Sequence, residues 1–586
     1  MNRFVLCTVI AASMSITTSA TAQRISADGA MQTFGVYSNQ YFDEAYTYSP
    51  TWATQLGLHE HDEELEDYSA AGVQKQVAWL HGWEKKIQEI PANGLDRDVA
   101  ADQQILLNSI RSQLLSLETI RMWEKNPDVY SSGITGSVFV IMSRNYAPVN
   151  VRLRSVVERE KKMPQVFEDA RKNLKNPPKI YTEIALEQID GIVSFFQNDV
   201  PLAFKDATDA QLKAEFAKTN AAVIDALKSY GAWMKSDLLP RSNGNFAFGT
   251  DTYRKKLLYD EMVDTPLDKL LALDMADMRK NQTEFARIAK ELDPKKTPTE
   301  VLAELQSIHP APDHLLDAFR DTFNSLTSFI QSHHIITLPS DVRPTLEETP
   351  PFMRATTQAS MDSPGPFEKH STTAYFNVTL PEKDWSKERI AEHMAAFNVG
   401  TIVSTSVHEA YPGHYVQFLW QHQFPSKIRK IIYPYTNVEG WAHYTEQMML
   451  DEGYGQPGAG ANDEREAKLI RLGQLQDALL RNARFVVGIK MHTEGMTMEQ
   501  AEQFFVKEGY QSPAIAKMET KRGTADGTYL YYTLGKLMIL KLRADVQKKE
   551  GTKFNLQQFH DNFMRQGFAP IKVIRKAMLH DDSPVL

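Results

Sequence analysis

Apolar residues recur every three or four positions along most of this chain of 586 residues. In one segment, Leu106, Ile110, Leu114 and Leu117 lie on one helical face, and charged residues occupy the rest of the surface. The same period recurs near residues 70–92, 149–176, 207–237, 266–293, 312–334, 463–492 and 529–549. No fixed-length repeat relates these segments. We therefore predict an all-α, mostly helical fold.

One segment has a different pattern. Thr373–Leu380 (TAYFNVTL) is rich in β-branched and aromatic residues, which predicts a short strand near the active site. It follows a long proline-rich stretch, residues 338–369, which we expect to be irregular. Two interpretations stay open for the strand. It is either an edge strand that pairs with a peptide substrate around Tyr375 and Asn377, or part of a structural hairpin.

The first 22 residues have the pattern of a signal peptide. Arg3 precedes the mostly apolar stretch Phe4–Ile16, and small residues at Ala20 and Ala22 favour cleavage near Ala22. Cys7 is the single cysteine, and a lipid attached there would leave almost no signal upstream of it. We expect a protein without disulfides, exported to the periplasm or secreted, whose metal ligands are His, Asp or Glu.

Net charge and hydropathy limit the classes of partner that this chain can bind. A formal charge of -9 and a pI near 6.0 argue against nucleic acid. Beyond the signal, no run approaches the roughly 18 apolar residues of a membrane span. We expect residues 23–586 to form one helical domain, with a division into two lobes, about 23–335 and 336–586, as the alternative.

His408-Glu409-Ala410-Tyr411-Pro412-Gly413-His414 resembles the zinc-binding helix of a peptidase with its second histidine moved two positions downstream. On a straight helix, the two histidines would diverge by about 120°. Pro412 and Gly413 change this expectation, because proline interrupts a helix and glycine tolerates the dihedral angles needed to restart one. The segment predicts a break that brings the histidines together. The alternative is an ordinary His–Glu pair without a metal.

A second segment, Glu439–Glu446 (EGWAHYTE), can supply a further ligand. Glu439, His443 and Glu446 occupy helical positions i, i+4 and i+7 and share one face. Any of them could bind a metal, and the other two could orient the ligands. The alternative is a solvated helix, although the segment is too apolar for a fully exposed one. Spacing does not choose among the three residues.

Other residues carry weaker signals. A tyrosine of the segment Gly527–Gly535 could donate a hydrogen bond to an oxyanion, although single tyrosines more often belong to a core. His492 is either a substrate contact or structural, and His59-Glu60-His61 fits a surface turn better than a metal site. Three arginines are either clamps for a substrate carboxylate or surface charges: Arg481, Arg484 and Arg522.

Together these motifs resemble the bacterial DUF885 family. The likeness rests on HEAYPGH (408–414), EGWAHYTE (439–446) and Tyr532–Gly535 followed by Leu542-Arg543, and it extends to residues 50–69. The family is similar to large all-helical zinc metallopeptidases, such as angiotensin-converting enzyme and thermostable carboxypeptidase. The resemblance implies a large helical body with a central channel that admits short peptides.

The resemblance also implies roles for particular residues. One zinc ion would have three ligands: His408, His414 and Glu439. Glu409 would be the general base, and Tyr532 the oxyanion donor. His443 and Glu446 would support the ligands, although His443 stands where the family often has an apolar residue.

We therefore expect an exported zinc-dependent metallopeptidase that hydrolyses short peptides. Substrate contacts are assigned to Tyr375, Asn377, Arg522 and His492. Two other functions stay open: a zinc amidase acting on non-peptide or cell-wall amides, and a non-catalytic periplasmic binding protein that retains a metal. Substrate sequence, exo- or endo-cleavage, oligomeric state and the physiological metal are not determined by the sequence.

Overall fold

The computed structural model describes residues 26–350, 354, 358–383 and 385–586. The expected signal peptide, residues 1–22 with Cys7, lies outside the described residues. In the described ranges the molecule is mostly helical, as predicted, and its β structure is limited to short strands. No helix in these ranges combines the length and the apolar character that a membrane span requires.

The helices fall into two series along the chain. The first series covers residues 27–261: α1 (Ala27–Tyr48), α2 (Pro50–Gln55), α3 (Ala70–Gln88), α4 (Arg97–Leu114), α5 (Met122–Lys125), α6 (Asp128–Met142), α7 (Val149–Glu160), α8 (Met163–Asn173), α9 (Lys179–Ser194), α10 (Val200–Ala203), α11 (Ala210–Trp233), α12 (Leu239–Arg241) and α13 (Thr250–Glu261). The second series covers residues 267–579: α14 (Leu267–Leu292), α15 (Pro298–Gln306), α16 (Leu315–Ser332), α17 (Lys387–Ala395), α18 (Val399–Thr405), α19 (His414–Trp420), α20 (Lys427–Ile431), α21 (Tyr435–Asp451), α22 (Glu464–Thr493), α23 (Met498–Lys507), α24 (Pro513–Ala525), α25 (Tyr531–Glu550), α26 (Leu556–Met564) and α27 (Ile571–Leu579).

The ends of the long helices follow local side-chain chemistry. Asp463 begins α22 by accepting a hydrogen bond from the N–H of Glu466 at 2.8 Å. At the start of α23, Thr497 and Gln500 form a reciprocal capping box. The cap at Asp463 explains why α22 begins within one residue of the start of the predicted segment 463–492.

Within the described ranges, the helices pack through three clusters of buried apolar side chains. The largest includes residues from Ala30 near one end to Val585 near the other. A second cluster lies among residues 130–238, and a third surrounds α14, α22 and the start of α25. The largest cluster contains residues from both sides of position 335, so burial of a shared core joins the two predicted lobes. A division into lobes stays a prediction.

The main sheet corrects one prediction. Its strands are β1 (Thr345–Glu348), β2 (Ala359–Asp362) and β3 (Tyr375–Val378), in the order β1-β3-β2. β3 pairs in parallel with β1 and antiparallel with β2. The interpretation of β3 as an edge strand for a peptide is wrong, because both of its edges are already paired. A further pair of two-residue strands, β4 (Gln456–Pro457) and β5 (Gly460–Ala461), lies before α22.

The proline-rich stretch is also less irregular than predicted. β1 and β2 both lie within residues 338–369, and each is only four residues long. Neither has a strong local β pattern, so their structure depends on pairing with β3. Pairing between segments far apart in the chain is invisible to a local reading of the sequence.

Candidate metal centre

The chain changes direction between the two histidines of the HEAYPGH segment. α18 ends at Thr405 and continues as a π-helical turn, Ser406–Ala410, which carries His408. Tyr411 and a cis Pro412 then leave the helix, and α19 begins at His414. The predicted break is present, and it separates the π-helical turn from α19.

Gly413 allows this break to be tight. A Cβ atom at this position would lie 1.8 Å from the carbonyl oxygen of His408, so a residue with a side chain cannot occupy it. The indole Nε1 of Trp441 donates a hydrogen bond to the carbonyl oxygen of Pro412 at 2.9 Å. The turn is therefore held against α21, the helix that carries Glu439.

α21 is held at its first turn by a residue that the sequence did not single out. Glu261, at the end of α13, accepts hydrogen bonds from the backbone N–H groups of Tyr435 and Thr436 at 3.0 and 2.9 Å. A carboxylate at this position accepts hydrogen bonds from N–H groups that have no partner within the helix, and its negative charge interacts favourably with the positive end of the helix dipole. Burial raises the pKa of Glu261 to about 7. Glu261 lies far from α21 in sequence, so no spacing rule could find this contact.

His408, His414 and Glu439 converge. One donor atom from each of them lies within 4.8 Å of the other two. Nε2 of His408 and Nε2 of His414 lie 3.4 and 3.5 Å from Oε2 of Glu439. Tetrahedral zinc with bonds of about 2.0–2.1 Å separates neighbouring donors by roughly 3.3–3.4 Å. The two measured separations therefore match a shared zinc ion.

The hydrogen bonding of these residues also fits a cation. Oε2 of Glu439 is buried and accepts no hydrogen bond from any described residue. A buried carboxylate oxygen without a partner is costly, and a bound cation would remove this cost. Within the described residues, no other group of three His, Cys, Asp or Glu side chains converges in this way. The residues present thus fit a zinc ion, although metal binding itself stays a prediction.

Glu446 supports the centre from behind. Its Oε1 lies 2.6 Å from Nδ1 of His408, and its Oε2 lies 3.1 Å from Nδ1 of His443. Arg481 approaches Oε1 of Glu446 at 3.1 Å. A carboxylate on Nδ1 leaves Nε2 of His408 as the free donor atom. Spacing left Glu439, His443 and Glu446 equivalent, but only Glu439 reaches both histidines.

The charges of the centre favour a positive partner. Burial opposes protonation of His408, but its contacts with Glu439 and Glu446 outweigh burial and raise its pKa to about 10. Burial also acts against ionised Glu439, yet the two histidines hold its pKa well below the ordinary value. A proton or a metal ion can supply the positive charge, and a metal would displace the proton from His408.

Glu409 lies beside these ligands without a partner of its own. It is half-buried on the π-helical turn, next to His408. Its carboxylate makes no hydrogen bond or ion pair with the described residues, in contrast to Glu439 and Glu446. This carboxylate is therefore free to accept a proton.

Tyr532 borders the same centre. α25 approaches α21 so closely that a Cβ atom on Gly440 would lie 2.5 Å from Cα of Gly535. This contact brings the ring of Tyr532 to 6.5 Å from the ring of His408, centroid to centroid. Burial, followed by the charge of Glu439, raises the pKa of Tyr532. Its hydroxyl stays protonated at neutral pH and can donate a hydrogen bond.

Two of the three arginines are neither surface charges nor free clamps. Arg484 binds Glu519 with two hydrogen bonds, at 2.7 and 2.8 Å, and both side chains are buried. Arg481 is occupied by Glu446 at 3.1 Å. The two guanidinium groups lie 5.1 and 5.5 Å from the ring centre of Tyr532, so they position this ring by cation–π contact.

Arg522 is more accessible than the other two arginines. Its side chain is 37% exposed and pairs with Asp526 at 3.2 Å. Its Nη2 also lies 3.5 Å from the hydroxyl of Tyr532. Arg522 thus borders the candidate centre, and its contact with substrate stays a prediction.

Three further residues were predicted to contact substrate: His492, Tyr375 and Asn377. His492 is buried, with Nε2 at 2.8 Å from the carbonyl oxygen of Gly523 and Nδ1 accepting the N–H of Phe248 at 3.3 Å. Both nitrogens contact backbone groups, which favours the structural interpretation of His492. Asn377 is buried in the central strand and Tyr375 is half-buried there, so neither backbone pairs with a substrate.

Comparison with known proteins gives the chain a family. Residues 50–578 match the profile described as "Bacterial protein of unknown function (DUF885)". The chain belongs to the DUF885 family. No curated protein matches it.

Two solved structures are similar to this DUF885 protein. One is described as "a putative lipoprotein of unknown function from Shewanella oneidensis"; it is 28% identical, with a TM-score of 0.78, over 93% of this chain and 99% of the other. The second, described as "the putative lipoprotein from Colwellia psychrerythraea", is 19% identical with a TM-score of 0.78, over 95% and 99% of the two chains. The second likeness concerns the fold alone.

Proposed function

We propose that this DUF885 protein is an exported, zinc-dependent metallopeptidase that hydrolyses short peptides. The observation that carries the proposal is the convergence of His408, His414 and Glu439 at separations of 3.4 and 3.5 Å from a shared carboxylate oxygen. Three protein ligands are typical of catalytic zinc sites, which keep a further position for water or substrate.

When bound, the zinc ion would polarise the peptide carbonyl and lower the pKa of a water molecule. Glu409 accepts a proton from the attacking water and delivers it to the leaving amine. Tyr532 donates a hydrogen bond to the oxygen on which negative charge develops. Glu446 keeps His408 in the tautomer that presents Nε2 to the metal.

The position of His443 favours a catalytic role over a non-catalytic one. A protein that only retains a metal would be favoured by a fourth protein ligand, such as His443. Nδ1 of this histidine instead contacts Glu446, and the residue is not part of the converging group. The amidase alternative uses the same centre, so substrates alone distinguish it.

The proposal of export has separate support. The similar protein from Shewanella oneidensis is described as a putative lipoprotein, and lipoproteins are exported. The signal-peptide pattern of residues 1–22 agrees with this. We propose a periplasmic or secreted location for the mature chain, with cleavage near Ala22.

The test removes the proposed base and keeps the ligands. Glu409→Gln should retain zinc and lose about 10²–10⁴ in kcat/KM on short peptides, because a positioned base contributes about that much. Glu392→Gln, an exposed position on α17, is the matched control and should keep full activity. Zinc content is measured on each preparation.

Three results would count against the proposal. Full activity of zinc-bound Glu409→Gln would exclude Glu409 as the base. A wild-type protein with one equivalent of zinc that cleaves no member of a peptide library would exclude a peptidase. Cleavage of muropeptides alone would favour the amidase.

A further inference from the structure

A second feature of the molecule is lined in part by Tyr435, which lies one helical turn before Glu439 in α21. A cavity of about 420 Å³ is enclosed by α1, α2, α3, α4 and α13 and by the residues that lead into α21. Its lining is rich in aromatic side chains, among them Trp52, Trp79, Tyr259 and Tyr433. Tyr435, which is 51% exposed, lines this cavity and lies four residues before Glu439 in α21.

The lining of this cavity carries no net charge. Among the described lining residues, Lys256 and Asp260 are the only side chains that are charged at neutral pH, and they pair at 2.6 Å. Gln76 and Tyr259 add polar groups that hydrogen-bond to no described side chain. Such a surface favours apolar and aromatic ligand groups that also make a few hydrogen bonds to the lining. It disfavours a charged ligand group, because that group would lose its hydration without gaining an oppositely charged partner.

A chain of aromatic contacts connects this cavity to the metal centre. Tyr435 stacks on Tyr531 at 4.8 Å, and Tyr531 contacts Tyr532 at 4.9 Å. A smaller cavity of about 260 Å³ lies between Tyr435, Tyr531 and Asp526 and shares the Tyr435 wall. The two cavities therefore adjoin one another, because their linings share Lys256, Asp260 and Tyr435.

The distances suit a peptide. Tyr435 and Glu439 are four residues apart in α21, which separates them by about 6 Å along the axis. An extended peptide advances about 3.3–3.6 Å per residue. A side chain two or three residues from a carbonyl at the centre can thus reach past Tyr435. An apolar cavity of about 150 Å³ is known to hold benzene, so about 420 Å³ is ample for an aromatic side chain.

We propose that this cavity is a substrate pocket for an aromatic or large apolar side chain, two or three residues from the bond that is cleaved. The inference rests on the proposed peptidase function and adds its substrate class. The pocket selects short peptides with a ring at this position over peptides with a small or charged residue there.

The test fills the pocket. Peptides that differ only by Phe, Ala or Lys at each position are compared by kcat/KM. At one position the Phe peptide should exceed the Ala peptide by about tenfold or more. Ser109→Phe places a ring in the cavity and should bring this ratio close to one. Ser116→Phe, exposed and outside the cavity, is the matched control and should keep the ratio.

A second variant keeps the proposal testable if Ser109→Phe fails to fold. Tyr259→Ala removes a lining ring that makes no hydrogen bond to a described residue, so it enlarges the pocket with little loss of structure. It should raise the preference for a Trp peptide over a Phe peptide. Direct binding of N-acetylphenylalaninamide, compared with N-acetylalaninamide, gives a readout that does not depend on cleavage.

The outcomes separate the two proposals. If peptides are cleaved but the ratio is near one at every position, the pocket is excluded and the peptidase function stands. If no peptide is cleaved but N-acetylphenylalaninamide binds wild type and not Ser109→Phe, the peptidase function fails and only the preference for rings stands. If Ser109→Phe blocks an N-acetylglucosamine muropeptide and not Phe peptides, the occupant is a sugar and the proposal is wrong.

Discussion

Two clusters of histidine and carboxylate side chains in this protein differ in what the imidazole nitrogens contact. At the metal centre, Nε2 of His408 and Nε2 of His414 meet at one oxygen of Glu439, at 3.4 and 3.5 Å. That oxygen accepts no hydrogen bond from the residues that the structure describes. Three donor atoms therefore surround one point.

The cluster around His59 has the opposite arrangement. Nδ1 of His59 lies 3.0 Å from Asp62, and Nε2 lies 2.9 Å from Glu368. The ring also stacks on Tyr146, with centroids 3.6 Å apart. Both nitrogens are used on opposite sides of the ring, so the same residue types hold loops together and leave no donor atom for a metal. Convergence of donors, and not composition, distinguishes a metal site from a structural cluster.

The largest expected effect tests this contrast directly. His414→Ala removes a ligand and should lower zinc affinity by more than the roughly 100-fold typical of losing a supporting residue. His59→Ala should leave affinity unchanged, because its nitrogens already contact carboxylates. Metal content and competition with a chelator measure both variants. An equal loss of zinc in the two would remove the distinction between the clusters.

A smaller effect is expected from the carboxylate behind His408. Glu446→Gln keeps the shape of the side chain but loses the charge that orients Nδ1, and zinc affinity should fall by about 10–100-fold. Glu368→Gln makes the equivalent change beside His59 and should not alter affinity. The same chelator competition applies. Unchanged affinity in Glu446→Gln would mean that packing alone orients His408.

The smallest effect concerns stability in the His59 cluster. Burial opposes protonation of His59, but the hydrogen bonds to Asp62 and Glu368 outweigh it and raise its pKa above 6.5. A histidine whose pKa is higher in the folded state than in the unfolded state stabilises the protein. This stabilisation is complete at pH values below the unfolded pKa, and it is lost as the pH rises through the folded pKa. Wild type should therefore exceed His59→Gln in stability by on the order of 1 kcal/mol at pH 5.5, and by less at pH 8.5.

Thermal and urea unfolding of both proteins at several pH values check this expectation. Asp62 and Glu368 are the acidic groups that contact His59, and Tyr146 donates to Asp62 at 2.5 Å. A difference in stability that grows with pH would show that His59 is neutral in the folded protein.

The sequence predicted the helices well and the sheet poorly. The apolar period near 266–293 and 463–492 corresponds to α14 and α22 within one residue at each end. A helix depends on neighbours three and four residues away, so its pattern is local. β1 and β2 depend on β3. Of the two interpretations left open for β3, the edge strand is wrong, because β1 and β2 occupy both of its edges.

The candidate metal centre, too, was predicted from the sequence only in part. HEAYPGH and EGWAHYTE indicated the residue types and the break before His414, which the structure contains. Spacing could not choose among Glu439, His443 and Glu446, since all three share one helical face. Arg481 was interpreted as a clamp or a surface charge, and it is half-buried and paired with Glu446.

The sequence by itself determined the helical class, the family and the kinds of donor atom available to a metal. Only the tertiary structure decided which carboxylate meets both histidines. That choice depends on contacts between separate helices: Glu261 at the start of α21, Trp441 on the turn before His414, and the close approach of Gly440 to Gly535. Periodicity sets the direction in which a side chain points from its own helix, whereas packing between helices sets its distance to a side chain on another helix.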